Sequence, residues 1–256
     1  MPKLSIDTIL NYSPNFNINK RKPKDIKFII FHYTGMKKEV DAINKLTDQK
    51  SKVSCHYFIK NNGEILTLVP DLYISWHAGI SAWRKYKSIN RNSIGIEISN
   101  PGHDFKYRKF SKKQIKSLLK LSTFLIKKYN IKSNFILGHS DISPDRKKDP
   151  GEKFPWKYFS KNNIGYWHSL QEKRLLKKRN QIVGQLDKKK FIKNLHKIGY
   201  PKKIYFKNNK YLKTLTTAFQ RRFRQELVNG NIDQECLLIS KNLIKSSNKF
   251  SWYFRV

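Results

Sequence analysis

Two short apolar runs in this chain finish in the same way. Residues 28–31 read Phe-Ile-Ile-Phe and are followed at once by His32, while residues 135–137 read Phe-Ile-Leu and lead through Gly138 to His139. Runs this short and this rich in β-branched and aromatic residues read as buried strands. Neighbouring strands of one sheet would bring both imidazoles to the same edge. The second histidine opens the stretch 138–151, GHSDISPDRKKDPG, which crowds Asp141, Asp145 and Asp149 against Lys147 and Lys148. Imidazole nitrogen and carboxylate oxygen are the donors that suit zinc, and a catalytic zinc takes three protein ligands while leaving a fourth position open. His32 and His139 supply two. Asp141 lies two residues from His139, but Ser143-Pro144 argues that the strand does not continue through it. Asp149 precedes a Pro-Gly turn that can fold its carboxylate back. On residue chemistry alone both aspartates stay open.

A third feature is Glu97, set inside the apolar stretch 92–100, NSIGIEISN. A carboxylate in the middle of a buried strand is costly unless it is paired, near a metal or catalytic. Facing the metal edge, Glu97 would be placed to take a proton from water, and Lys147 would offer a fixed positive charge to an oxyanion.

The remaining pattern is that of an α/β layer, a central mixed β-sheet flanked by helices. Residues 39–49 space Val40, Ile43 and Leu46 as a short amphipathic helix, and residues 55–70 run apolar on both sides of Asn61-Asn62-Gly63, a hairpin signal. Ser111 and Gln114 form a capping box before a long helix with Ile115, Leu118, Leu119, Ser122 and Leu125 on its inner stripe. Residues 71–83 are a loop dense in Trp76, His77 and Trp83. Residues 1–25 read as an irregular lead-in punctuated by Pro14 and Pro23, and the Lys-rich segment 157–185 reads as a linker. From 186 onward the spacing predicts a small three-helix domain: Phe191, Leu195 and Ile198 run to Gly199, Leu212 to Leu227 repeat at intervals of three and four, and Asp233 caps a last helix.

Charge and cysteines bound the setting. With 54 Lys and Arg against 18 Asp and Glu, the formal net charge is +36, a field that draws a protein to polyanions: nucleic acid, anionic lipid or a wall polymer bearing carboxylates. The excess is spread along the whole chain, as solvated lysine faces are. The two cysteines, Cys55 and Cys236, fall in different expected domains, so no disulfide is expected. No stretch approaches the roughly 20 apolar residues of a membrane span, and the N-terminal residues carry no apolar leader region.

Several ordered motifs, FHYTG, SCHYFI with NGEILTLVP, WHAGIS, NSIGIEISN and GHSDISPDRKKDPG followed by FPW, together resemble the zinc-dependent N-acetylmuramoyl-L-alanine amidases of type 2, related in fold to peptidoglycan recognition proteins. The resemblance covers residues 26–156. It implies zinc ligands at His32, His139 and Asp149, a catalytic glutamate at Glu97 and a catalytic lysine at Lys147, and so favours Asp149 over Asp141. It also implies that His77 lines the substrate cleft, whereas His56 is expected to be structural; from their chemistry alone, Trp76 and Trp83 offer rings that stack on sugar faces or pack in the core. Within the domain expected over 186–256, about residues 186–246, with AFQRRFR and NGNID, resemble the three-helix peptidoglycan-binding domain appended to wall-acting enzymes. The implied activity is hydrolysis of the amide between N-acetylmuramic acid and L-alanine in peptidoglycan or muropeptides. The implied location is the cell envelope or outside it, with the cytoplasm as the alternative where no leader is seen. The rivals are a non-catalytic peptidoglycan-binding protein, which would lack a ligand, and a basic nucleic-acid-binding protein, for which no recognition motif is found.

Overall fold

The computed structural model describes residues 6–202 and 209–252. These contain ten strands, β1 (Ile9–Leu10), β2 (Phe16–Asn17), β3 (Phe28–Tyr33), β4 (Tyr57–Ile59), β5 (Ile65–Thr67), β6 (Ile74–Ser75), β7 (Ala82–Trp83), β8 (Tyr86–Lys87), β9 (Ser93–Ile98) and β10 (Ile136–Gly138). The α-helices are α1 (Glu39–Thr47), α2 (Lys112–Tyr129), α3 (His139–Ile142), α4 (Trp156–Lys161), α5 (Glu172–Leu176), α6 (Gln185–Ile198), α7 (Asn209–Phe223) and α8 (Gln234–Trp252). Six strands form one mixed sheet in the order β1-β5-β4-β9-β3-β10, in which only the β4–β5 hairpin is antiparallel.

Local signals explain the elements. Ser111 Oγ accepts the Gln114 N–H at 3.1 Å and Gln114 Oε1 accepts the Ser111 N–H at 2.9 Å, closing the box that starts α2. Asp233 Oδ1 accepts the Cys236 N–H at 2.9 Å and starts α8. Gly63, at φ +90°, turns the hairpin with its Cα position hard against the Lys113 backbone. Along α2 the fully buried positions are Leu118, Leu121, Ser122 and Leu125, with Gln114 tied to the Ser99 carbonyl; Ile115 and Leu119 sit at the rim of the stripe.

The sheet is covered on both faces, which is why β3 is apolar without alternation. Ile29, Phe31, Ile94, Ile96 and Ile136 face α2, Phe154, Trp156 and Phe159. Phe28, Ile30 and Leu137 face Phe191, Leu195, Phe219, Phe223 and Leu237 of the C-terminal helices in one shared core. At the other end of this second face, α1 lays Ala42 and Leu46 over Phe58 and Leu66. Between α1 and the C-terminal helices His77 lies over β3 and β9, and a cleft lined by Tyr33, His77 and Glu97 opens beside it.

Four expectations change. Residues 157–185 are not an extended linker: they carry α4 and α5 and bury Phe159, Ile164, Leu175 and Val183. The lysines that made the segment look solvated occupy the outer faces of these short elements. Within the lead-in, of which 1–5 lie outside the described residues, β1 extends the main sheet and Arg21 reaches a buried network with the carbonyl of Asp71 and with His56. The strand expected through 135–140 ends at Gly138, and His139 begins a helical turn. The expected helix through 211–227 closes at Phe223. Residues 203–208 and 253–256 of the expected helical domain also lie outside the described residues. Both cysteines are free and buried. Among the described residues no helix is long and apolar enough to cross a membrane.

Candidate metal centre

The register of the sheet assembles the site. β3 and β9 run parallel with His32 paired to Glu97, and β10 pairs Leu137 with Ile30, so that His139, two residues on, emerges beside His32. Asp149 returns from the loop after α3, its carbonyl accepting the Ser140 N–H at 2.8 Å. As a result His32 Nδ1, His139 Nδ1 and Asp149 Oδ2 face one another at 2.9–3.0 Å, all three residues buried.

The outer hydrogen bonds define the proton positions. Ser93 Oγ donates to the Ile89 carbonyl at 2.8 Å, so it accepts from His77 Nε2–H at 2.9 Å. His77 Nδ1 is then an acceptor, and His32 Nε2–H donates to it at 2.9 Å. His139 Nε2 faces the Ala78 carbonyl at 3.1 Å and can only donate. With neutral imidazoles, this assignment leaves both Nδ1 atoms as lone pairs aimed at a carboxylate oxygen. Burial, reinforced by repulsion from His139, pushes the His32 pKa down to about 4 and so favours its neutral ring. Burial opposes the Asp149 charge, but the two imidazoles outweigh it and hold the carboxyl below the usual carboxylate range. In that protonation state the three donor atoms form a set that could hold a metal ion at their centre. Their chemistry and outer-shell anchoring fit zinc.

Glu97 lies on the cleft floor. Its Oε2 is enclosed and has no hydrogen-bond partner. Desolvation first, then the Asp149 charge, raises its pKa to about 8, with Lys147 acting in the opposite sense. The cleft is a cavity of about 330 Å³, lined among others by Tyr33, Lys45, Trp76, Glu97, Lys147 and Asp149.

The other residues singled out by sequence divide clearly. Lys147 lines the cleft beside the metal cluster. Trp76 lines it too, with its indole N–H bonded to Asn17 Oδ1 at 2.7 Å and its ring left partly exposed. His77 also touches the cavity, but both its nitrogens are taken by His32 and Ser93, so it has no polar atom left for a substrate. Gly95 makes room for it: a Cβ there would stand 2.4 Å from His77 Cγ. Trp83 is buried against Tyr200 and cannot stack on a ligand. His56 is enclosed, its Nδ1 accepting the Gly95 N–H at 3.0 Å. Asp141, the competing ligand, is used up elsewhere: Oδ1 accepts the Tyr200 hydroxyl at 2.7 Å and Oδ2 accepts Arg222 Nη1 at 2.6 Å. The roles of His77, Tyr200 and Arg222 escaped the sequence reading because each depends on a partner distant in the chain.

A mixed sheet with an enclosed His-His-Asp cluster and a desolvated glutamate at one edge is an arrangement suited to metal-assisted hydrolysis. Residues 22–152 match the N-acetylmuramoyl-L-alanine amidase family. Over 232 residues the chain is 34% identical to the N-acetylmuramoyl-L-alanine amidase AmiD of Escherichia coli, covering 86% of this chain and 83% of that protein. It is 32% identical over 165 residues to the 1,6-anhydro-N-acetylmuramyl-L-alanine amidase AmpD of Haemophilus influenzae, covering 57% and 87%. The solved complex of Escherichia coli AmiD with its substrate anhydro-N-acetylmuramic acid-L-Ala-D-gamma-Glu-L-Lys superposes with a TM-score of 0.77 at 31% identity, covering 87% of this chain and 90% of that one. AmpDH3 of Pseudomonas aeruginosa in complex with anhydromuramic pentapeptide gives 0.77 at 27% identity, covering 95% and 99%. The chain therefore belongs to the N-acetylmuramoyl-L-alanine amidase family. It is an amidase that acts on peptidoglycan material.

Proposed function

We propose that this amidase is zinc-dependent, that His32, His139 and Asp149 hold the metal, and that its substrates are muropeptides cut between the N-acetylmuramic acid lactyl group and L-alanine. The observation that carries the reading is the convergence of His32 Nδ1, His139 Nδ1 and Asp149 Oδ2 in register with Glu97, whose Oε2 has no hydrogen-bond partner. Zinc held there supplies a Lewis acid and acidifies water. Glu97, in its ionised form, accepts a proton from the attacking water and hands it to the departing amine of L-alanine. Lys147 offsets the negative charge that develops on the acyl oxygen. Desolvation suits Glu97 to this task because a carboxyl titrating near neutrality can both take and return a proton. His77 acts one step away, fixing the tautomer and angle of His32. The solved complexes of AmiD and AmpDH3 with anhydromuropeptides support the substrate class.

The test is a digest of purified anhydromuropeptide and of polymeric wall, with products read by mass spectrometry, with and without a chelator. Free stem peptide should appear from at least one substrate, stop with chelation and return with zinc. Full activity in Glu97→Ala or His139→Ala would refute the assignment.

A further inference from the structure

The C-terminal helices reach into the metal centre through one buried carboxylate. The turn α3 leaves β10 at Gly138, whose N–H donates to Asp141 Oδ2 at 2.8 Å. That oxygen also accepts Arg222 Nη1 of α7, and Tyr200, just after α6, donates to Oδ1. Arg222 Nη2 donates to the Ile136 carbonyl at 3.0 Å, so its fork spans the strand before His139 and the turn after it. The guanidinium is itself held 4.2 Å from the centroid of the Trp156 ring. Beyond Asp149, Gln225 Nε2 donates to the Glu152 and Phe154 carbonyls, both at 2.6 Å. Side chains from the helical unit thus grip both ends of the segment that carries His139 and Asp149.

We propose that Arg222 and Tyr200, acting through Asp141, are positioning residues for His139, and that the C-terminal helices are therefore a working part of the metal centre. The inference rests on reading His32, His139 and Asp149 as the metal ligands. A ligand is useful only if held to within about 0.5 Å of its productive place by residues whose own geometry is locked. His139 is the first residue after a three-residue edge strand, where the sheet alone restrains it on one side. The Asp141 pair with Arg222 supplies the restraint from the other side. Both partners are about 1% exposed, so neither can relax into water without reopening the core.

The experiment compares the full-length chain with Tyr200→Phe, Arg222→Met and Leu237→Ala. Leu237 is buried in α8 and takes no part in the Asp141 grip. Zinc affinity is measured by competition with a chromophoric chelator, and ligand geometry by the visible spectrum of the cobalt-substituted protein. Arg222→Met is expected to lose up to roughly 10-fold in zinc affinity, the lower end of what removing a partner bonded directly to a ligand costs, because Arg222 acts through Asp141. Tyr200→Phe should lose less, both with altered cobalt spectra, while Leu237→Ala lowers the Tm and leaves zinc affinity unchanged. Should Arg222→Met fail to fold, Tyr200→Phe decides. Wild-type affinity and spectra in the Tyr200 and Arg222 variants, or an equal loss in Leu237→Ala, overturn the proposal. A wild-type chain that takes up no zinc overturns the ligand assignment first and this inference with it.

Discussion

His32 and Glu97 stand opposite one another on the parallel strands β3 and β9, in register and on the same face of the sheet. Strand spacing alone, about 4.8 Å, sets the separation of the two backbones, and so how far the proposed metal ligand lies from the proposed proton acceptor. In that reading the acceptor is placed by backbone hydrogen bonds and needs no loop to close over it.

Glu97→Gln tests the role of that acid apart from metal binding. The amide keeps the shape and cannot accept a proton, so kcat on muropeptide should fall by about 10²–10⁴-fold. Zinc content, measured by elemental analysis, should stay at the wild-type value. Loss of zinc along with activity would mean that Glu97 is a ligand.

His77→Phe removes the acceptor for His32 Nε2–H while keeping a ring beside Gly95. His32 is then free to turn or change tautomer, and zinc affinity should drop roughly 10–100-fold. Chelator competition reads this directly. An unchanged affinity would show that β3 alone orients the imidazole.

The metal-free protein should lose stability as pH rises because of Glu97. Its folded pKa of about 8 lies above the ordinary 4.5, so between these values the folded state binds more protons than the unfolded one. Stability therefore declines through that window, and the penalty is complete above about pH 8. Thermal melts of wild type and Glu97→Gln should diverge as pH is raised from 5 to 8.5, with the variant gaining.

His56 gives the opposite slope on the acid side. Burial, followed by the Arg21 charge and against the pull of Asp71, lowers its pKa to about 3. Between the usual 6.5 and that value the unfolded chain binds more protons, so stability falls as pH drops through this range. A His56→Gln variant, even if less stable at pH 7, should show a shallower decline in melting temperature from pH 6.5 to 4.

Much of the scaffold was legible because its signals are local. The Ser111–Gln114 box, the Asn61-Asn62-Gly63 turn and the Phe-Ile-Ile-Phe run each act over a few residues, and each produced the expected element. Of the α2 stripe, Leu118, Ser122 and Leu125 are buried as read, while Gln114 and Leu121 take the inner places expected for Ile115 and Leu119, because spacing does not say at what angle a helix meets the sheet. Residues 157–185 looked like a linker because they are polar and lysine-rich, yet Phe159, Ile164, Leu175 and Val183 are buried against other segments, while Tyr158, Leu176 and Ile182 stay exposed.

The amino-acid order determined that His32 and His139 would follow strands, that Glu97 would sit inside one, and that carboxylates would cluster after His139. It did not separate Asp141 from Asp149 by chemistry, since the two side chains are identical. The fold separates them: Tyr200 and Arg222, 59 and 81 residues from Asp141, occupy its two oxygens, while Asp149 Oδ2 faces the Nδ1 atoms of His32 and His139. The choice lies in burial and in partners brought from far along the chain, and both exist only once the sheet and its helices have packed.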